Sequence, residues 1–124
     1  MIRVLIVDDH SAFRTALAYL LEQQPDLEVA AQAGTCAQVR EVILEGRFDV
    51  AVLDLAMPDG DGSMLIGEVC RVNPGAKVLV LSATLELGQV DKVREMGADA
   101  VLNKMEDPRR IAEEIRCLGS GAPG

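Results

Sequence analysis

The sequence predicts an α/β domain built on a doubly wound parallel sheet. Three observations carry that prediction. Apolar, β-branched runs alternate with segments of helical period, strand then helix, five times along the chain. Most of these runs are continuously apolar, as in strands buried on both faces. The length, 124 residues, suits one domain and leaves no room for a second fold of similar size. A sheet of this kind needs helices on both faces and right-handed crossovers.

The first strand is "IRVLIV", Ile2 to Val7. Phe13, Leu17, Leu20 and Leu21 then line one face of a helix, which Pro25 ends. "LEVAA", Leu27 to Ala31, alternates and predicts a second, less buried strand. Thr35 and Gln38 have capping-box spacing and predict a helix carrying Val39, Val42 and Ile43 inward. "DVAVLDL", Asp49 to Leu55, is the third strand, followed by a helix with Leu65, Val69 and Val72 inward and closed by Asn73, Pro74 and Gly75. "KVLVLS", Lys77 to Ser82, is the fourth strand, and Leu87, Val90 and Val93 form a thin helical stripe that stops near Gly97. "DAVLN", Asp99 to Asn103, is the fifth. The last helix has Asp107 as N-cap, Pro108 in its first turn, Ile111, Ile115 and Leu118 on one face, and Gly119 just after its end. The expected domain covers residues 1–118, with 119–124, "GSGAPG", as a linker or frayed tail.

Composition narrows the function. The core must be aliphatic, because hydrophobic residues make up 49% of the chain and aromatics only 2%. A net charge of −8 disfavours direct binding to nucleic acid and suits a cationic partner or a metal ion. Cys36, Cys70 and Cys117 are odd in number and widely spaced, so neither a complete disulfide framework nor a metal-ligand pattern is expected. "MIRVLIV" lacks the features of a signal peptide, and no run is long enough to span a membrane. The expected location is the cytoplasm, with no membrane partner.

The unusual polar residues sit where such sheets bind ligands, outside the carboxyl ends of the strands. Asp8 and Asp9 follow the first strand, Asp54 ends the third, Ser82 ends the fourth and Lys104 follows the fifth. Each has an ordinary explanation in isolation. The paired aspartates could cap a helix, Asp54 could sit in a turn, and Lys104 could be a solvated surface lysine. Their convergence on one rim argues for a site instead. A charge directly after "AVL" is costly unless it has a partner. His10 reads as a loop residue beside that site. "DGDG", Asp59 to Gly62, fails as a calcium loop, because positions six and twelve would be Met64 and Cys70. Gly60 and Gly62 read as turn and helix-start residues.

"VDDH", "LDLAMPDGDG", "LSA" and "NKM", in this order and spacing, resemble the response-regulator receiver domain over essentially the whole chain. The resemblance implies a flavodoxin-like (βα)5 fold with strand order 2-1-3-4-5. It implies that Asp54 is the phosphoacceptor for a histidine kinase, and that Ser82 and Lys104 contact the phosphoryl group. Mg²⁺ would be bound by Asp9, Asp54 and the backbone carbonyl of Ala56, and by Asp8 through water. The lysine is followed by Met105 where many members have Pro. With "DDHSAFRTALAYLLEQQPDLEV", this resembles the subfamily carrying a C-terminal helix-turn-helix DNA-binding output domain, so transcriptional control and homodimerisation on phosphorylation are further expectations. Such a domain is no enzyme beyond its own phosphorylation and dephosphorylation.

Two other classes compete with that reading. An interaction-only pseudo-receiver is favoured by Val101, which stands where the family usually has an aromatic residue. A valine cannot sweep out the same volume, so the response should be small or travel through Ala83 to Gly88. A metal-dependent phosphohydrolase commonly has a second Asp two residues after its nucleophile, where this chain has Ala56. The family's usual output surface would lie near Val90, Val101 and Ile115. Like charges about 4 Å apart repel by roughly 4 kcal/mol at an effective dielectric near 20, so Asp8→Asn or Asp9→Asn should raise the melting temperature in EDTA.

Overall fold

The computed structural model describes residues 1–57, 60–83 and 87–120, with only the backbone described at 60–62, 87 and 88. Five parallel strands form one sheet: β1 (Ile2–Val7), β2 (Leu27–Ala33), β3 (Val50–Asp54), β4 (Lys77–Ser82) and β5 (Ala100–Asn103). Their order is β2-β1-β3-β4-β5, as the resemblance implied. The five helices are α1 (Ser11–Glu22), α2 (Cys36–Ile43), α3 (Gly62–Val72), α4 (Leu87–Glu95) and α5 (Pro108–Gly119). A short antiparallel pair, Ala56–Met57 with Gly60–Asp61, leads from β3 into α3.

Alternation along the strands divides the core into two layers. Leu5, Val7, Ala51, Leu53, Val78 and Val80 pack with Val39 and Ile43 of α2, Leu65 and Val69 of α3, and Val93 of α4. Val4, Ile6, Val50, Val52, Leu79 and Leu81 pack with Leu17 and Leu21 of α1 and Ile111 and Ile115 of α5. Fully burying such a side chain contributes about 1.5–3 kcal/mol relative to leaving it exposed. Every residue of β3 is buried, whereas β2, at the edge, is mostly half-buried.

Local signals account for the helix ends. The Thr35 hydroxyl accepts from the backbone N–H of Gln38 at 3.1 Å, and the Gln38 side chain accepts from Gly34 N–H at 2.7 Å. That is a capping box displaced by one residue on its return bond. Asp107 Oδ1 accepts from Arg109 N–H at 2.9 Å. Gly97, after α4, has φ +121°, and a Cβ there would lie 2.8 Å from Cys70 Sγ. Asn73 donates to the carbonyls of Gly46 and Phe48, tying the end of α3 to the approach to β3.

Several expectations need correction. Strand β2 runs two residues further, to Ala33, because pairing with β1 continues through Val7. Val72 is exposed, since the inward stripe of α3 runs through Leu65, Ile66 and Val69 instead. Helix α5 includes Gly119 and closes at Ser120, so Gly119 is not a left-handed stop; a Cβ there would lie 2.5 Å from Ile2 Cγ2. Ile115 is fully buried and belongs to the α1/α5 layer, so its own side chain presents no surface, while Val101 packs partly buried on the opposite layer. The three cysteines are free, with Cys36 buried and Cys70 and Cys117 half-buried, as expected. Among the described residues no helix is long and apolar enough to cross a membrane. Asp59 of the "DGDG" stretch, residues 84–86 of the Ala83–Gly88 segment, and 121–124 of the tail lie outside the described residues.

Candidate functional site

Strand pairing brings the carboxylates together. β1 and β3 are in register with Val4 opposite Val50 and Ile6 opposite Val52. Continuing that register by two residues sets Asp8 opposite Asp54, both just past the apolar run. Both are buried, with Asp8 2% and Asp54 5% exposed. The Ala56 N–H donates to Asp54 Oδ1 at 3.1 Å, and the His10 N–H donates to Asp8 Oδ1 at 2.8 Å.

Lys104 supplies the counter-charge. Its backbone N–H donates to Ser82 O at 3.0 Å, which extends the β4–β5 ladder past its end. Its ammonium then lies 2.7 Å from Asp8 Oδ2, 3.2 Å from Asp54 Oδ2 and 3.1 Å from His10 Nδ1. The same nitrogen sits 4.6 Å from the centre of the Phe13 ring, a cation–π contact. Burial pulls the Lys104 pKa down, but the hydrogen bond it donates to Asp8 and the charge of Asp54 outweigh it, and the net direction is up. One cation thus serves two buried carboxylates, while a third, Asp9, stays more exposed and, among the described residues, pairs with His10 at 3.2 Å. Ser82 is buried and, with His10, Asp54, Ala56, Gln89 and Lys104, lines an open cleft of about 230 Å³.

All the sequence-predicted residues therefore reach one rim. The aspartates do not cap α1, whose N-cap is His10 with no side-chain cap bond. One expectation changes: His10 is inside the cluster rather than beside it. Sequence reasoning also missed Phe13, treated only as part of a core stripe, and Arg14, whose guanidinium donates to the Asp8 carbonyl. Gly34 leaves space for that guanidinium: a Cβ there would lie 2.8 Å from Arg14 Nη1. No local signal in the chain pairs Phe13 with Lys104. A larger groove of about 460 Å³ lies between α1 and α5, but its Arg116 is already engaged by Asp26 and Gln24.

The donor set fits a hard divalent cation. Carboxylate oxygens of Asp8, Asp9 and Asp54, with one His10 nitrogen, lie within 4.8 Å of one another. The Lys104 ammonium already sits among three of those four residues, as a stand-in cation would. Residues 4–116 match the response regulator receiver domain family.

The chain belongs to that family.

Among the relatives of this receiver domain is the transcriptional regulatory protein LiaR of Bacillus subtilis. It is 37% identical over 123 residues, which cover 99% of this chain but only 58% of LiaR. A LuxR-family two-component response regulator from an Aurantimonas species superposes with a TM-score of 0.88 at 25% identity, over 96% of this chain and 85% of that one. A response regulator from Burkholderia pseudomallei, solved with a phosphorylated aspartic acid, a calcium ion and citrate, superposes with a TM-score of 0.82 at 25% identity, over 94% of this chain and 72% of that one. The receiver fold is thus shared with regulators of transcription.

Proposed function

We propose that this receiver domain is a phosphoacceptor switch, in which Asp54 takes a phosphoryl group from a histidine kinase and thereby controls a transcriptional output. The observation that carries this reading is the buried Asp54 carboxylate, 3.2 Å from the Lys104 ammonium, at the floor of a cleft also lined by Ser82. The phosphorylated aspartate of the Burkholderia protein supports it. A carboxylate oxygen of Asp54 attacks phosphorus, the P–N bond to the donor imidazole breaks, and the imidazole leaves with its electron pair. The product is an acyl phosphate on Asp54. Lys104 turns from the carboxylates to a phosphoryl oxygen and offsets the charge that builds there. The Ser82 hydroxyl contacts the same group, and the Ala56 N–H steadies the Asp54 oxygen that it already holds. Asp9, Asp54 and the Ala56 carbonyl would hold Mg²⁺, with Asp8 contributing through water, and the ion when bound would neutralise charge on the transferring group.

The chain spans 58% of LiaR's length. The output is accordingly read as a helix-turn-helix DNA-binding domain outside this chain, with a cytoplasmic setting and homodimerisation on phosphorylation. Incubation with Mg²⁺ and acetyl phosphate, followed by intact mass, should show a labile adduct that Asp54→Asn abolishes. A beryllofluoride titration followed by proton and fluorine spectra should show a surface change. An interaction-only module is the second reading, favoured by the half-buried Val101 at the usual aromatic position. It predicts no adduct, or an adduct without the surface change. A phosphohydrolase would turn over a phosphoester many times.

A further inference from the structure

His10 is the one imidazole in the chain, and nothing in the phosphoacceptor chemistry above uses it. Its Nδ1 lies 3.3 Å from Asp8 Oδ1, 3.2 Å from Asp9 Oδ1 and 3.1 Å from Lys104 Nζ. These neighbours make opposite demands on one atom. An ammonium only donates, so Nδ1 must offer it a lone pair; a carboxylate only accepts, so it asks Nδ1 for a proton. Whichever tautomer forms, one side meets the wrong charge. A cation at the centre resolves the conflict, because the Nδ1 lone pair and the carboxylates would then all point at it. The 3.2 Å between His10 Nδ1 and Asp9 Oδ1 suits this, since metal–ligand bonds of about 2.0–2.1 Å place neighbouring octahedral ligands about 3 Å apart. The backbone that carries the ring is also held in place, because the His10 N–H donates to Asp8 Oδ1 at 2.8 Å.

We propose that His10 is a nitrogen ligand of the metal site and shifts its preference from Mg²⁺ towards imidazole-binding first-row cations such as Mn²⁺. The inference rests on the reading of Asp8, Asp9 and Asp54 as a divalent-cation site, and it names the selectivity of that site. Carboxylate and water oxygens suit Mg²⁺ and Mn²⁺ alike, whereas an imidazole raises affinity for the transition metal. His10 is 66% exposed in its side chain, so replacing it should leave the fold intact, which a melting curve checks.

Mn²⁺ and Mg²⁺ affinities are measured by titration for the wild type, His10→Ala and Asp9→Asn, together with electron spin echo modulation of the Mn²⁺-loaded protein. The wild type should show imidazole ¹⁴N coupling that His10→Ala lacks, and the Mn²⁺-to-Mg²⁺ affinity ratio should fall about tenfold in His10→Ala. Absence of ¹⁴N coupling in the wild type, or an unchanged ratio, overturns the inference. If Asp9→Asn weakens both ions while His10→Ala affects neither, the inference fails and the carboxylate site stands. If neither ion binds the wild type, both fail.

Discussion

Lys104 reaches from the end of β5 to carboxylates that follow β1 and end β3, so a single side chain decides how the acidic rim is neutralised. The cluster of Asp8, Asp9 and Asp54 with Lys104 still carries more negative than positive charge, and the three aspartates do not share it equally. Asp8 holds the 2.7 Å ion pair, whereas Asp9 makes no ion pair with Lys104 among the described contacts. Removing Asp9 therefore relieves repulsion without losing a cation contact. In EDTA, Asp9→Asn should raise the melting temperature by a few degrees, of the order expected for about 1 kcal/mol. Asp8→Asn should gain less, because it also gives up that ion pair. Calorimetry of both variants in EDTA tests the ranking, and equal gains would mean that Lys104 does not discriminate between them. The Asp8, Asp9, Asp54, Ser82 and Lys104 set was legible from the sequence because each residue follows or ends an apolar strand. The placing of His10 and Phe13 against Lys104 was not, since contacts between residues about 90 positions apart leave no local periodicity.

At the scale of elements, an ion pair ties the last helix to the first crossover. Arg116 on α5 donates to both Asp26 carboxylate oxygens, at 2.6 and 3.1 Å, and to Gln24 at 3.2 Å, joining the last helix to the α1–β2 turn. The guanidinium's hydrogen bond holds the Asp26 pKa below its usual 3.8. A depressed carboxylate pKa contributes stability that is fully present above the unfolded value and lost as pH falls through the folded one. Both partners are largely open to solvent, so the contribution is small and screened by salt. The melting-temperature gap between wild type and Arg116→Ala should be constant near neutrality and close as the pH drops below about 4. A gap that persists in acid would assign the effect to packing of the Arg116 stem. Two helix starts were readable from their caps, because Thr35 and Asp107 act through bonds to residues two or three positions away. Helix ends were less so: Gly119 continues α5 rather than stopping it, since helical backbone there brings the small residue against Ile2.

For the whole molecule, the prediction concerns coupling between ligand and fold. The carboxylates come from separate strand ends, so a cation that binds them favours the folded state. At a Mg²⁺ concentration 100 times its Kd the gain should be about 2.7 kcal/mol, on the order of ten degrees in melting temperature. Asp9→Asn should lose most of that rise in a Mg²⁺ titration followed by thermal melts, and a rise of equal size in the variant would remove Asp9 from the site.

From its sequence alone this protein's alternation of strand and helix, its buried central strands and the residues at their carboxyl ends were determined, because period, capping and apolar runs act over a few neighbouring residues. The tertiary structure alone decided that Lys104 neutralises Asp8 and Asp54 together, that His10 faces that cluster, and that Ile115 and Val101 lie in opposite layers. Those outcomes depend on strand register and on which side chain fills a shared space. Both are set when distant segments pack, and no local stretch of the chain encodes them.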